Sequence, residues 1–267
     1  QRVSTLKSFV IDKNLILNEL EFLKEFNKSS FDDLPSTLRR RIKTFPITLY
    51  LIEKGTPDDV KFNIFKRINQ GSLILTAQEI RHAINQGKPA ELIADLVRGK
   101  DSLSEDGSFR KRKNHDGKII ELKATSAGTA FIRATSEKIS SVRMEDRDFA
   151  TRYVSFYLIP YTEYEPDLDT FLNKGMSKIK ELSDSVIKTI YDDFEKAMNT
   201  AFEIFGIHTF RKLFQDVQPR KPINKALFEV LSVNFAKLSI KETKLLLKNK
   251  EEFRNQFMIL HNAADGK

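Results

Sequence analysis

One stripe in the second half of the chain constrains its fold more than any other feature. Ile187, Ile190, Tyr191, Phe194, Ala197, Met198, Ala201 and Phe205 recur at steps of three and four, and Gly206 follows the last of them. That spacing puts every apolar side chain on one face of a helix, and the glycine supplies the backbone freedom to end it. A helix of about five turns with one apolar face must bury that face against other elements. Two further segments, near Lys225 to Leu238 and Lys241 to Leu260, also read as helices, so the chain from about Thr135 onward is expected to be almost wholly helical.

The first half is more mixed. Gln1 to Phe9 reads as a helix start, and Asn14 to Phe26 carries Leu15, Leu17, Leu20, Phe22, Leu23 and Phe26 at near-helical spacing. Ile47-Thr48-Leu49-Tyr50-Leu51-Ile52 reads as a strand, fenced by Pro46 and Gly55, and the two helices before it are expected to cover a sheet. Thr56-Pro57-Asp58-Asp59 combines an N-cap, a proline at the first helical position and two acids in the first turn, which predicts a helix to about Ile68. Thr76-Ala77-Gln78-Glu79 is a capping box, with Leu75 and Ile80 placed as a hydrophobic staple and Gly87 available to close the helix. Asn69 to Leu75 is then a tight connector, and the backbone amides opening the second helix can face an anion. From Gly99 to Gly128 charged and small residues dominate. The basic run Arg110-Lys111-Arg112-Lys113, the turn Asn114-His115-Asp116-Gly117 and the stretch Lys118 to Leu122 suggest a β-hairpin.

Composition narrows the chemistry. At 267 residues with 40% hydrophobic content the chain can bury a sizeable core. Without cysteine it has no disulfide framework, thiol nucleophile or thiolate metal site, so any catalysis uses oxygen and nitrogen groups. A formal charge of +8 and a pI near 9.4 favour polyanion partners. Phenylalanine is abundant (21) and tryptophan absent, which points to core material rather than stacking platforms for bases. Apolar runs such as Ile47 to Ile52 are far too short to cross a bilayer. The expectation is a soluble, cytoplasmic protein with no membrane partner, and a chain opening on Gln1-Arg2 reads as a fragment.

Several strings together resemble the N-terminal domain of GmrSD-type restriction endonucleases, a ParB/sulfiredoxin-like family marked by a DGQQR motif. Gln1-Arg2-Val3-Ser4-Thr5-Leu6 matches the tail of that motif, without the Asp, Gly and first Gln that should precede it. An F-x-R-I-N segment followed by L-T-x-x-E-I-R is present as Phe65, Arg67, Ile68, Asn69, Leu75, Thr76, Glu79, Ile80 and Arg81. Arg143 to Asp148 with Arg152, then Phe171-Leu172-Asn173, Phe205-Gly206, Phe210-Arg211-Lys212 and Pro222-Ile223-Asn224-Lys225 fit the family's helical half. Leu103 to about Ala127 departs from it as an insertion, and the sequence stops before the last helices such proteins have.

The resemblance implies an α+β fold, mostly α: the remnant of a small ParB/sulfiredoxin-like α/β domain followed by a helical domain. Residues 1–98 would form the nucleotide-binding region with its N-terminal part missing, 99–134 the insertion, and 135–267 the helical domain with its C-terminal end truncated. It implies a nucleoside-triphosphate-binding and hydrolysing component of a modification-dependent DNA restriction, or phage-defence, system. The partners would be DNA, a nucleoside triphosphate with Mg²⁺, and an HNH-type nuclease domain or subunit, with oligomerisation open. The alternative is a DNA-binding or sensor module of the same fold that does not hydrolyse.

Gln1 and Arg2 would then be the catalytic pair, since a guanidinium forks onto two phosphate oxygens while a carboxamide orients a water; a solvated chain end is the plain alternative. Arg67, Asn69 and Gly71 would bind the nucleotide, with Asn69 also a Mg²⁺ ligand. Asn69 can equally end a helix, and Gly71 serve a turn. Glu79 reads as the capping-box partner before a catalytic acid. The mixed charges Arg143 to Arg147 read as a solvated helix face with local ion pairs. Arg110, Lys111, Arg112 and Lys113 are candidates for DNA-backbone contact, or form an ordinary charged loop. His82, His115, His208 and His261 stand apart from one another in sequence and form no metal or nuclease signature.

Overall fold

The structure is a computed structural model. It describes residues 2–48, 51–53, 55–68, 74–99, 110–113, 119–213 and 220–264, with backbone alone for Arg2, 110–113, 119–121 and 261–264. The chain divides into two compact units, Gln1–Glu53 and Lys54–Lys267. The described residues are mostly helical, twelve α-helices against one two-stranded sheet.

In the first unit, α1 (Arg2–Val10) and α2 (Ser36–Thr44) flank a run of turns that includes a single 3-10 turn at Lys24–Phe26. Its small core is Phe9, Phe31 and Leu34, with the Phe9 and Phe31 rings edge to face at 5.5 Å. The helix expected over Asn14 to Phe26 does not form. Leu17 exchanges backbone hydrogen bonds with Lys28 (2.6 Å) and Ser29 (3.0 Å), and Asn27 Oδ1 accepts from the Leu20 amide at 2.9 Å. Left-handed backbone at Lys13, Glu19, Leu23 and Lys28 turns the chain. The apolar residues split between two fates: Leu15, Leu17 and Phe26 pack on the core, whereas Phe22 is 82% exposed. Local turn chemistry and a two-residue step have overridden an imperfect helical pattern.

Conversely α2 forms with almost no apolar periodicity in its sequence, which is dominated by Arg39-Arg40-Arg41, and only Leu38 and Ile42, four apart, pack inward. Of the expected strand at Ile47 to Ile52, Leu49 and Tyr50 lie outside the described residues. The flanking Ile47, Thr48, Leu51 and Ile52 belong to no strand, and Leu51 is 89% exposed.

The second unit opens with α3 (Asp58–Ile68), α4 (Ala77–Ile84) and α5 (Lys88–Val97). Backbone strands β1 (Arg110–Lys113) and β2 (Ile119–Leu122) pair antiparallel, Arg110 opposite Leu122 and Lys113 opposite Ile119. Then come α6 (Ser126–Thr135), α7 (Glu145–Leu158), α8 (Leu168–Ile179), α9 (Asp184–Phe205), α10 (Lys225–Lys237), α11 (Ile240–Lys248) and α12 (Lys250–Ala264). Gly87 does not close α4, which ends at the Asn85 cap; it begins α5 instead, at φ 83°.

The stripe of α9 forms the centre of this unit, buried at Ile190, Phe194, Ala197, Met198, Ala201 and Phe205 against α6 and α10. Phe194 touches Tyr153 of α7 at 4.7 Å between ring centroids and Phe131 of α6 at 6.2 Å. Phe228 of α10 meets Phe149 edge to face at 5.0 Å. Each such ring contributes about 1.5–3 kcal/mol through burial. Two glycines permit the helices to close: a Cβ on Gly128 would sit 2.4 Å from the Arg98 carbonyl, and one on Gly175 2.1 Å from Ser155 Oγ. No helix among the described residues is long and apolar enough to cross a membrane.

Candidate functional site

The capping box expected at the head of α4 is complete. Thr76 Oγ1 accepts from the Glu79 amide at 3.1 Å, and the Glu79 carboxylate accepts from the Thr76 amide at 2.7 Å. Glu79 does more than cap: Arg143 Nε and Nη2 donate to its carboxylate at 2.8–3.0 Å, and Arg143 Nη2 also donates to the Ile74 carbonyl. These bonds to Arg143, with the Thr76 bonds behind them, hold Glu79 below the usual carboxylate range. To reach α4, Arg143 and Met144 both adopt left-handed backbone, φ 59° and 60°. For residues with a Cβ that conformation costs about 1–2 kcal/mol each, which the Arg143 bonds offset.

Behind the cap, Gln78, Arg81 and Asn85 form a polar i, i+3, i+7 line that turns inward, and all three are buried. Arg81, 1% exposed, lies over the Phe62 ring of α3 at 5.4 Å and donates to Asp169 Oδ1 and, at 3.3 Å, to Gln78 Oε1. Asp148 stands 3.8 Å from its other terminal nitrogen. Asp148 and Asp169 sit in the first turns of α7 and α8, where the helix dipole favours carboxylates, so both helices present their acids to one arginine. The chain of charge continues outward: Lys66 to Asp169 at 3.2 Å, Arg152 and Lys225 to Asp148 at 2.9 and 2.7 Å, and Arg152 to Glu229 at 2.5 Å. Burial lowers the Arg81 pKa against the pull of Asp169 and Asp148. Burial also works to raise Asp148, yet Lys225 and Arg152 bring it below its ordinary value.

These groups line a polar cleft of about 440 Å³, walled by Thr76 and Gln78 on one side and by Arg143, Arg152 and Lys225 on the other. Within it two buried donors have no hydrogen-bond partner, Gln78 Nε2 and Arg81 Nε. An unpartnered buried donor costs about 1–3 kcal/mol. A ligand oxygen is one group that would remove that cost.

The segment Arg143 to Arg147 is not the solvated helix face its charges suggest. Arg143 is bonded to Glu79, Arg147 lies 3.1 Å from the His82 ring, and Asp146 is buried, which raises its pKa. Among the predicted site residues, Arg67 is exposed in the last turn of α3, one helix away from Arg81. Arg2 opens α1 in the first unit. Arg110, Lys111, Arg112 and Lys113 form β1. Gln1, Asn69 and Gly71 lie outside the described residues. Among the described residues no group of three or more His, Cys, Asp or Glu converges to hold a metal ion, and both acids nearest Arg81 are engaged by cations. Sequence reading missed Gln78, Arg81, Asp148, Asp169 and Glu229 as a cluster; the polar i, i+3, i+7 line within an otherwise inward-packing helix was the signal available.

Compared with known proteins, the chain matches no family model, no curated protein and no solved structure.

Proposed function

We propose that the chain is the nucleoside-triphosphate-binding component of a modification-dependent DNA restriction system, retaining the remnant of a ParB/sulfiredoxin-like domain ahead of its helical half. The observation that supports this reading is the polar cleft at the head of α4, whose capped first turns put buried Gln78 and Arg81 in its wall, with the Phe62 ring of α3 against Arg81. A guanidinium that keeps a spare donor and a helix start beside it suit phosphate oxygens. In this reading the roles are those the resemblance gives: Arg67, Asn69 and Gly71 for the phosphates, Asn69 also for Mg²⁺, and Gln1 and Arg2 for hydrolysis. The cut in DNA is made by an HNH-type nuclease partner.

The test is nucleotide binding and phosphate release by the whole chain, beside Arg2→Ala, Arg67→Ala and Asn69→Ala variants. Loss of one charge-assisted phosphate contact, worth about 1.5–3 kcal/mol, weakens binding roughly tenfold or more. Equal affinity and equal rates in all four proteins reject the site. The second reading, a DNA-binding module without turnover, is favoured by the net charge of +8 and the basic run Arg110 to Lys113. It predicts salt-sensitive DNA binding that weakens when that run is neutralised, with no phosphate released.

A further inference from the structure

Sharing Glu145 and Lys225 with the Arg81 cleft is a second hollow, of about 430 Å³, whose other charged lining is Lys138, Arg211, Arg220 and Lys221 and whose remaining lining is apolar. Five of these six charged side chains are cations and one is an acid, and Lys225 is already bonded to Asp148. Of the six, Arg211 is the buried one, 4% exposed. It follows Phe210, whose left-handed backbone (φ 57°) and edge-to-face contact with Phe228 at 4.8 Å fix the chain after α9. The returning strand of chain is tied down beside it, Asn224 donating to the Phe210 carbonyl at 2.8 Å.

Arg211 is held by neutral groups. Its Nε donates to the Ile207 carbonyl at 3.2 Å and its Nη1 to the Lys221 carbonyl at 2.5 Å, while its Nη2 is buried with no hydrogen-bond partner. Main-chain carbonyls orient a guanidinium without cancelling its charge, and a buried charge so placed favours a counter-ion. The neighbouring arginines add like charge. Burial, and then Arg220, lower the Arg211 pKa; His208 is lowered by burial and then by Arg254, Arg211 and Arg220.

We propose that this hollow is a phosphate site, distinct from the Arg81 cleft, in which Arg211 grips a phosphate oxygen through Nη2 while Arg220, Lys221 and Lys138 neutralise the remaining charge. A planar donor fork inside a rim of flexible ammonium and guanidinium groups suits a tetrahedral dianion. The phosphate can come from a small polyphosphate or from a nucleic-acid backbone, and the chemistry of the site is the same for both. The site does not depend on nucleotide binding at the first cleft.

The experiment is calorimetric titration of the full chain with pyrophosphate and, separately, with a short DNA duplex. Wild type is compared with Arg211→Gln and with the double variant Lys138→Gln/Arg220→Gln, whose two positions are exposed and leave the core untouched. The expected result is a loss of roughly tenfold or more in affinity for at least one ligand in both variants. A loss confined to pyrophosphate identifies a free polyphosphate as the source, and a loss confined to duplex identifies the nucleic-acid backbone. In wild type, bound phosphate is also expected to move the His208 titration upward, read by NMR. Should Arg211→Gln misfold, the double variant alone decides. Absence of binding by both ligands, or affinities unchanged in the double variant, overturns the proposal.

Discussion

Two buried arginines, Arg81 and Arg211, sit in neighbouring clefts of one helical unit and are held in opposite ways. Arg81 is braced by carboxylates that two helix N-termini supply, and those acids are themselves engaged by Lys66, Arg152 and Lys225. Arg211 is braced by two main-chain carbonyls and faces a cationic rim. The first arrangement spends most of its charge inside the protein and locks α4 to α7 and α8, keeping only Nε without a hydrogen-bond partner. In the proposed phosphate site the second leaves its charge for a ligand. What holds a buried arginine therefore decides how much of it is left for a ligand, and burial alone does not distinguish the two.

The comparison breaks most visibly under truncation of each arginine. Arg81→Met removes the cation that Asp169 and Asp148 share and leaves them to Lys66, Arg152 and Lys225, so the expected loss lies at the low end of the cost of breaking a buried ion pair, about 3 kcal/mol. Arg211→Met strands two carbonyls and relieves a concentration of like charge, so the expected loss is smaller, about 1–3 kcal/mol. Chemical denaturation of both variants gives the order directly. Equal losses, or a larger one at Arg211, would mean that the two are braced alike and would dissolve the distinction.

A sharper contrast uses pH. Asp146 is buried in the first turn of α7 and its folded pKa is raised above the ordinary value near 3.8. Above the folded pKa both states are ionised, and the folded state bears the whole cost of the buried charge. As pH falls through the folded value toward 3.8 the folded state takes its proton first and the cost disappears. Asp146→Asn is expected to stabilise the protein at neutral pH by about 1 kcal/mol, with the gain vanishing in acid. Asp148, two positions on, has the opposite sign: its lowered pKa stabilises the fold above the ordinary value, and that stability is lost as pH falls through the folded pKa. Neutralising Asp148 should therefore destabilise at neutral pH. Denaturation midpoints measured from pH 7 to pH 3 separate the two, and a stabilised Asp148→Asn would contradict the bracing of Arg81.

Much of the helical half was legible because its elements are long and their apolar spacing regular. The α9 stripe from Ile187 to Phe205 and its end at Gly206 needed no tertiary information, and the Thr76 capping box was written in four consecutive residues. The first unit was not legible for the reverse reason. Between Lys13 and Lys28 the conformation is set by four left-handed residues with ordinary side chains and by Asn27 reaching the Leu20 amide, none of which leaves a periodic trace. The charge cluster around Arg81 joins residues from α3, α4, α7, α8 and α10, and a single ion pair in it spans 103 positions. Sequence showed each charge with its local neighbours and predicted solvated pairs. Burial re-paired them across helices.

The smallest expected effect tests the outer edge of the braced cleft, where α4 begins. Glu79 serves Thr76 as a cap and Arg143 as a partner, and Arg143 keeps its left-handed backbone in their company. Glu79→Gln keeps the shape and one acceptor oxygen but loses the charge that receives the guanidinium. Because Arg143 is partly exposed, solvent screens this pair, and the expected loss is about 0.5–1 kcal/mol at neutral pH. The folded pKa of Glu79 is lowered, so the difference between wild type and variant should shrink as pH falls through it, where the wild-type carboxylate is protonated as well. A difference that stays constant down to pH 3 would assign the stability to the cap's hydrogen bonds and remove Arg143 from the brace. The left-handed pair Arg143-Met144 would then need another compensation.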